Sequence, residues 1–136
     1  MLDHLVIRIP YTRLALLIGL WRYQAQLSGL GALDLAATGQ GDLSAWSKLA
    51  LGWISESQIL KTAVPTARQI VTLSATGETR NGVLALRILL PGTDGEYLVN
   101  VRQPTGYDKQ SLQEYGATVL HIPQGNLPFS VTEVLG

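Results

Sequence analysis

The chain has no cysteine, and only two histidines, one methionine and one phenylalanine, among 136 residues. Without thiols there are no disulfides and no cysteine-ligated metal or redox centre, although compartment stays open because many secreted proteins also lack cysteine. A charge excess is missing too. Ten basic and ten acidic residues cancel, whereas nucleic acid, an anionic membrane or an acidic ligand normally calls for a basic surplus or a clustered charged face. A membrane span is the third absence. Asp3, His4, Arg8, Pro10 and Arg13 interrupt the first twenty positions, and the longest apolar run, Leu14 to Trp21, is far short of the roughly 20 residues a spanning helix needs. The charges lie within that region rather than ahead of an apolar core, unlike a signal peptide.

What is present is one domain's worth of chain, long enough to bury a sizeable core. An apolar share of 46% against 15% charged residues would suit a surface that meets a partner. Leu5, Ile7 and Ile9 alternate with polar or smaller neighbours as in a short strand, and Pro10 stops it. A first helix then opens near Tyr11 or Thr12, with Thr12 as its N-cap. Leu14 to Trp21 occupy every angle of two turns, so this helix should be covered on more than one side. About ten residues precede it, so the cover must come from the downstream layer or from another subunit.

A second helix is expected over Leu43 to Ile54, capped by Asp42 or Ser44 and ended by a left-handed Gly52. Leu43, Trp46, Leu49, Ala50 and Trp53 form its apolar face, which predicts buried indoles at Trp46 and Trp53. From Ser57 the period changes to two. Strands are expected at Gln58–Thr62, Arg68–Ala75, Gly82–Leu90, Glu96–Gln103, Ala117–Ile122 and Phe129–Val134, with a tight hairpin at Asn81-Gly82 and a longer one over Pro91 to Gly95. The resulting fold class is α+β: two helices followed by an antiparallel β-sheet or small β-sandwich. Residues 1–56 form the helical part and residues 57–136 the β part, with a seam around Pro65.

Catalytic signatures are scarce. His4 and His121 are remote in sequence and each sits in an expected strand, where a lone histidine is usually a surface or hydrogen-bonded residue. Ser28 and Ser44 have no G-x-S-x-G elbow, the glycines from Gly29 to Gly41 match no phosphate loop, and Asp34, Asp42, Asp94 and Asp108 lie in no calcium-loop run. In Arg102 to Asp108, Gly106 is expected to supply a turn that lets Tyr107 pack inward while Asp108 bonds nearby backbone amides.

Several segments together carry a resemblance. TRLALLIGLWRYQ, from Thr12 to Gln24, is similar to a zinc-binding helix of the form HExxHxLGLPDxY; GALDLAATG follows at Gly31, LSAWSKLALGWI at Leu43, GEYLVNVRQPTGYD at Gly95 and YGATVLHI at Tyr115. In this order they resemble the immune inhibitor A-like zinc metallopeptidases. The resemblance places the two zinc-binding histidines at Thr12 and Leu16 and the catalytic glutamate at Arg13. None of the three can hold zinc or take a proton from its water. Trp21-Arg22 stand where Pro-Asp is usual, Ala36 at a methionine position and Asn100 at a glutamate position.

The resemblance therefore implies a shortened, catalytically degenerate relative with no cofactor, in which residues 1–56 are the remnant of a catalytic domain. Its scaffold would serve as a structural or interaction subunit, extracellular or at the cell surface by family analogy. The expected partner is a second copy of the chain, or another subunit, covering the first helix at Thr12, Leu16, Trp21 and Tyr23. Trp46, Trp53, Arg102, Gly106, Tyr107 and Asp108 would be its structural motif. Two other readings stay open: a peptide- or glycan-binding module using the former cleft with Trp21, Tyr23 and Tyr107, or a hydrolase with an unrecognised site. A catalytic zinc needs about three protein ligands, and the first helix supplies none of its two. Elemental analysis after dialysis should find no stoichiometric zinc; one zinc per chain would overturn the reading.

Overall fold

Ser44 starts the helical layer in the way its chemistry favours. Its backbone is extended (φ −62°, ψ 161°) and its hydroxyl accepts the Ser47 amide at 3.2 Å, which satisfies one of the donors a helix start leaves unpaired. In this computed structural model, which describes residues 30, 41–64, 67–76, 81–92, 95–109, 115–124 and 130–135, helix α1 runs over Ala45–Ala50. Gly52 ends it at φ +74°. The Gly52 amide donates to the Leu49 carbonyl (3.0 Å) and the Trp53 amide to the Lys48 carbonyl (2.8 Å), the paired bonds of a Schellman stop. A six-residue helix is not stable alone, so it depends on what it packs against.

That support is a five-stranded sheet in the order β1 (Ile59–Ala63), β2 (Ala85–Leu89), β3 (Glu96–Arg102), β4 (Gly116–Ile122) and β5 (Ser130–Leu135). From β2 to β5 neighbours are antiparallel, but β1 runs parallel to β2, with Ile59 opposite Ala85 and Ala63 opposite Leu89. Gly95 closes the β2–β3 hairpin at φ +89°, with the Leu90 amide bonded to its carbonyl. Any side chain there would collide with the Ile122 carbonyl oxygen and Pro123, so only glycine fits.

Two expectations are corrected here. Among the described residues there is one α-helix, not two, and the sheet is single and mixed, not antiparallel or a sandwich. The stretch assigned to the first helix, residues 12–24, lies outside the described residues, as do His4 and Pro65. The reversal of β1 against β2 has a simple cause. Arg68–Ala75 was expected as a strand between them, yet it joins no ladder, and among the described residues its one β-bridge to the sheet is from Ala75 to Val101. In an up-and-down meander the first and third strands point the same way, so withdrawing the second makes them parallel neighbours. The tight hairpin expected at Asn81-Gly82 is not found among the described residues: Gly82 has φ +84°, but no strand pair flanks it, and the Ser74 amide bonds the Val83 carbonyl (2.9 Å) across a longer segment.

The core lies on the α1 side of the sheet. Leu43, Ala45 and Ile54 from the helical layer meet Ile59, Leu84, Ala85, Leu98 and Leu120, with Leu30 in the same cluster. Leu98 and Leu120 are cross-strand partners, both essentially sealed from solvent, and each contributes about 1.5–3 kcal/mol of burial. This cluster joins the segments on both sides of residue 56 in one core. Among the described residues no helix is long and apolar enough to cross a membrane.

The tryptophans divide. Trp46 packs against the core, partly buried, whereas Trp53 is 46% exposed, which corrects the expected burial of both. The Schellman turn reverses the chain at Gly52, so Trp53 no longer follows the helical face that its spacing implies. Trp46→Ala should cost on the order of 3 kcal/mol and Trp53→Ala about 1 kcal/mol or less. Urea unfolding of the two variants checks this; equal losses would contradict the packing.

Candidate functional site

Arg102 ends β3 with its side chain on the core face, 2% exposed. A guanidinium can be buried only if its donors are met and its charge balanced. The 3-10 turn Gly106–Asp108, entered through Gly106 at φ +56°, brings the Asp108 carboxylate back to it. Arg102 Nε donates to Asp108 Oδ2 at 2.7 Å and Arg102 Nη2 to Asp108 Oδ1 at 2.6 Å, a two-pronged pair of the strong, orientation-specific kind.

The pair is extended from the helical layer. Asp42 donates its backbone amide to Asp108 Oδ1 (3.0 Å), and its carbonyl accepts from Arg102 Nη2 (3.3 Å). Its own carboxylate accepts from the Leu43 amide (2.8 Å) and from Lys48 Nζ (2.5 Å). Lys48 Nζ also donates to the Thr76 carbonyl at 3.1 Å. Asp42, Lys48 and Asp108 are all buried. Two cations and two anions thus cancel inside the protein and tie together the helix start, the β1–β2 connection, the end of β3 and the turn after it. Chemically this is a clamp: every carboxylate oxygen in it accepts a hydrogen bond from the residues it holds.

Of the residues singled out in the sequence, Arg102, Gly106 and Asp108 are brought together. Trp46 and Trp53 lie in the helical layer, where the Trp53 amide bonds the Lys48 carbonyl. Thr12, Arg13, Leu16, Trp21 and Tyr23 lie outside the described residues, and so does the Tyr107 side chain. Asp108 does bond a backbone amide, but that of Asp42, far away in sequence rather than nearby. Lys48 was missed because apolar spacing alone assigns a lysine in α1 to solvent; only the tertiary position of Asp42 and Thr76 makes its burial tolerable.

Beside the clamp, Asn100 is 1% exposed and neither end of its amide has a hydrogen-bond partner among the described residues; the same holds for Thr76 Oγ1. Such groups cost about 1–3 kcal/mol each, so this part of the interior is polar yet incompletely paired. A second charged group lies at the surface. Glu56 contacts Lys61 Nζ at 2.6 Å and Arg87 Nη1 at 3.4 Å, and Arg87 Nε lies 3.1 Å from Glu96 Oε1, though at an angle too poor for a hydrogen bond. The hydrogen bond from Lys61 is the main reason the Glu56 carboxyl titrates below its ordinary range; slight desolvation opposes this and the charges of Arg87 and Lys61 assist it. A lowered carboxyl pKa adds stability above the unfolded value and loses it as pH falls through the folded one. Full exposure makes that contribution small.

His121 pairs across strands with Tyr97, ring centroids 5.5 Å apart. Among the described residues no group of three or more histidine, cysteine or acidic side chains is arranged to hold a metal ion. Comparison with protein-family models, curated proteins and solved structures finds no match to this chain.

Removing one member of a buried ion pair strands the other. Arg102→Met and Asp108→Leu should each cost about 3–5 kcal/mol. The double variant should lose clearly less than the sum, since neither charge is then left alone. Chemical denaturation of the four proteins in the cycle measures the coupling; simple additivity would mean that the pair is not the clamp described.

Proposed function

We propose that this chain is a non-catalytic, metallopeptidase-like protein that acts as a structural or interaction subunit, in an assembly that family analogy places outside the cell. The observation that carries this reading is the use made of the charged residues in the segments that resemble the peptidases. Lys48 in the Trp-rich helix and Arg102 and Asp108 in the R-Q-x-x-G-Y-D stretch, with Asp42 just ahead of the helix, are spent on holding one another. What is similar to the family is thus packing framework. The three positions that would carry its chemistry hold Thr12, Arg13 and Leu16.

A scaffold relieved of catalysis retains value if it associates. Residues 14–21 form an apolar run in the sequence, and Leu16 stands where the resemblance places a polar metal ligand. A dry contact there would be driven by buried apolar area, and identical chains are the simplest partners. Light scattering should report an oligomer for the native chain and dissociation for Leu16→Asp. A native monomer, or a folded variant with unchanged mass, would refute the association.

A further inference from the structure

The face of the sheet opposite the core has its own geometry. Leu86 stands beside Val99, Val101 beside Ala117, and Ile88 beside Tyr97 in the next row, so the outward side of β2, β3 and β4 is aliphatic up to the Tyr97–His121 pair, and only half-buried. A parallel pair such as β1–β2 needs a crossover, which ordinarily places a helix over the sheet. Here the described part of that crossover, residues 67–76, is an irregular strap with no helix. It stands off the strands and leaves an open-sided groove of about 490 Å³, with Arg68, Val71 and Leu73 as its wall and the five aliphatic residues as its floor.

Three features define what would fit. The volume is that of a small-molecule site. The floor offers no backbone donors or acceptors, because those of β2 and β3 are spent in the ladder; a peptide laid there would leave its own amides unpaired, whereas an alkyl chain has none to satisfy. Arg68 is the one charged residue among those lining the groove; it is exposed and forms no ion pair among the described residues. A planar guanidinium at the rim of an aliphatic trough matches a carboxylate at the end of a hydrocarbon tail.

The geometry points to a binding site for a free medium-chain alkyl carboxylate, its tail across Leu86, Val99 and Val101 and its headgroup at Arg68. This site shares no residue with the clamp. Calorimetric titration with decanoate, below its micellar range, should show saturable binding of one molecule per chain. Octanoate, two methylenes shorter, should bind roughly tenfold more weakly. Arg68→Gln should weaken decanoate about threefold, the scale of an exposed ionic contact, and leave decanol unaffected. Ala117→Leu fills the floor and should abolish binding of both; Ala67→Trp, at an exposed lining position, does the same from the wall should the first variant misfold. No saturable binding, indifference to chain length, or full binding by the filled variants would overturn the proposal. So would sedimentation showing a ligand-free dimer that Ala67→Trp disperses, since a second copy would then occupy the groove.

Discussion

A guanidinium sealed in the interior sets terms that the surrounding chain has to meet. Arg102 must find a carboxylate in bidentate geometry that balances its charge, and Asp108 can serve because the turn at Gly106 returns it six residues later. One carboxylate is not enough to settle the region. The Asp42 amide completes Asp108, the Asp42 carboxylate then requires Lys48, and Lys48 takes the Thr76 carbonyl. Each partner added brings a further segment with it, so the short helix, the strap and the sheet are docked by one connected set of charge-assisted bonds. Desolvation offsets much of the gain from such a set. Its consequence is geometric: few other arrangements of these segments would satisfy all the donors at once.

The sheet inherits an asymmetry from the strap. Because the segment after β1 leaves the ladder, β1 and β2 become parallel neighbours and the two faces of the sheet receive different cover. On one side α1 and its flanks close over Leu98 and Leu120. On the other the strap approaches without filling the space between itself and the strands. The same strap supplies Thr76 to the clamp and, at Ala75, a bridge to Val101 beyond the start of β2. It therefore anchors one face while leaving the other open.

The segments on which the proposed family reading rests also meet here. Leu43 to Ile54 contains α1, Gly95 to Asp108 contains β3 and the turn, and Tyr115 to Ile122 contains β4, which pairs with β3 along its length. Residues that hold a scaffold and residues that perform chemistry answer to different demands. A cluster such as Asp42, Lys48, Arg102 and Asp108 is coupled, so losing one member exposes the others, whereas surface chemistry can be replaced position by position. On the proposed reading, that difference is how a framework would outlast an activity.

Local rules were legible where the chemistry is local. Alternation placed β1, β3, β4 and β5 within a residue or two, the glycines of the 91–95 turn implied its hairpin, and Ser44 and Gly52 marked the ends of α1, because capping and turn geometry depend on residues only a few positions apart. Alternation also suggested a strand at Arg68–Ala75, but whether an extended segment joins a ladder depends on which edge is free to receive it. Strand direction likewise depends on the path of the connection, and the burial of Lys48, Asp42 and Arg102 depends on partners up to 66 residues apart in sequence. The sequence by itself therefore determined the caps, the turns and the two-residue period. Tertiary structure alone decided the parallel pair, the exposure of Trp53 and the charges held inside, since each is a property of neighbours that only folding assembles.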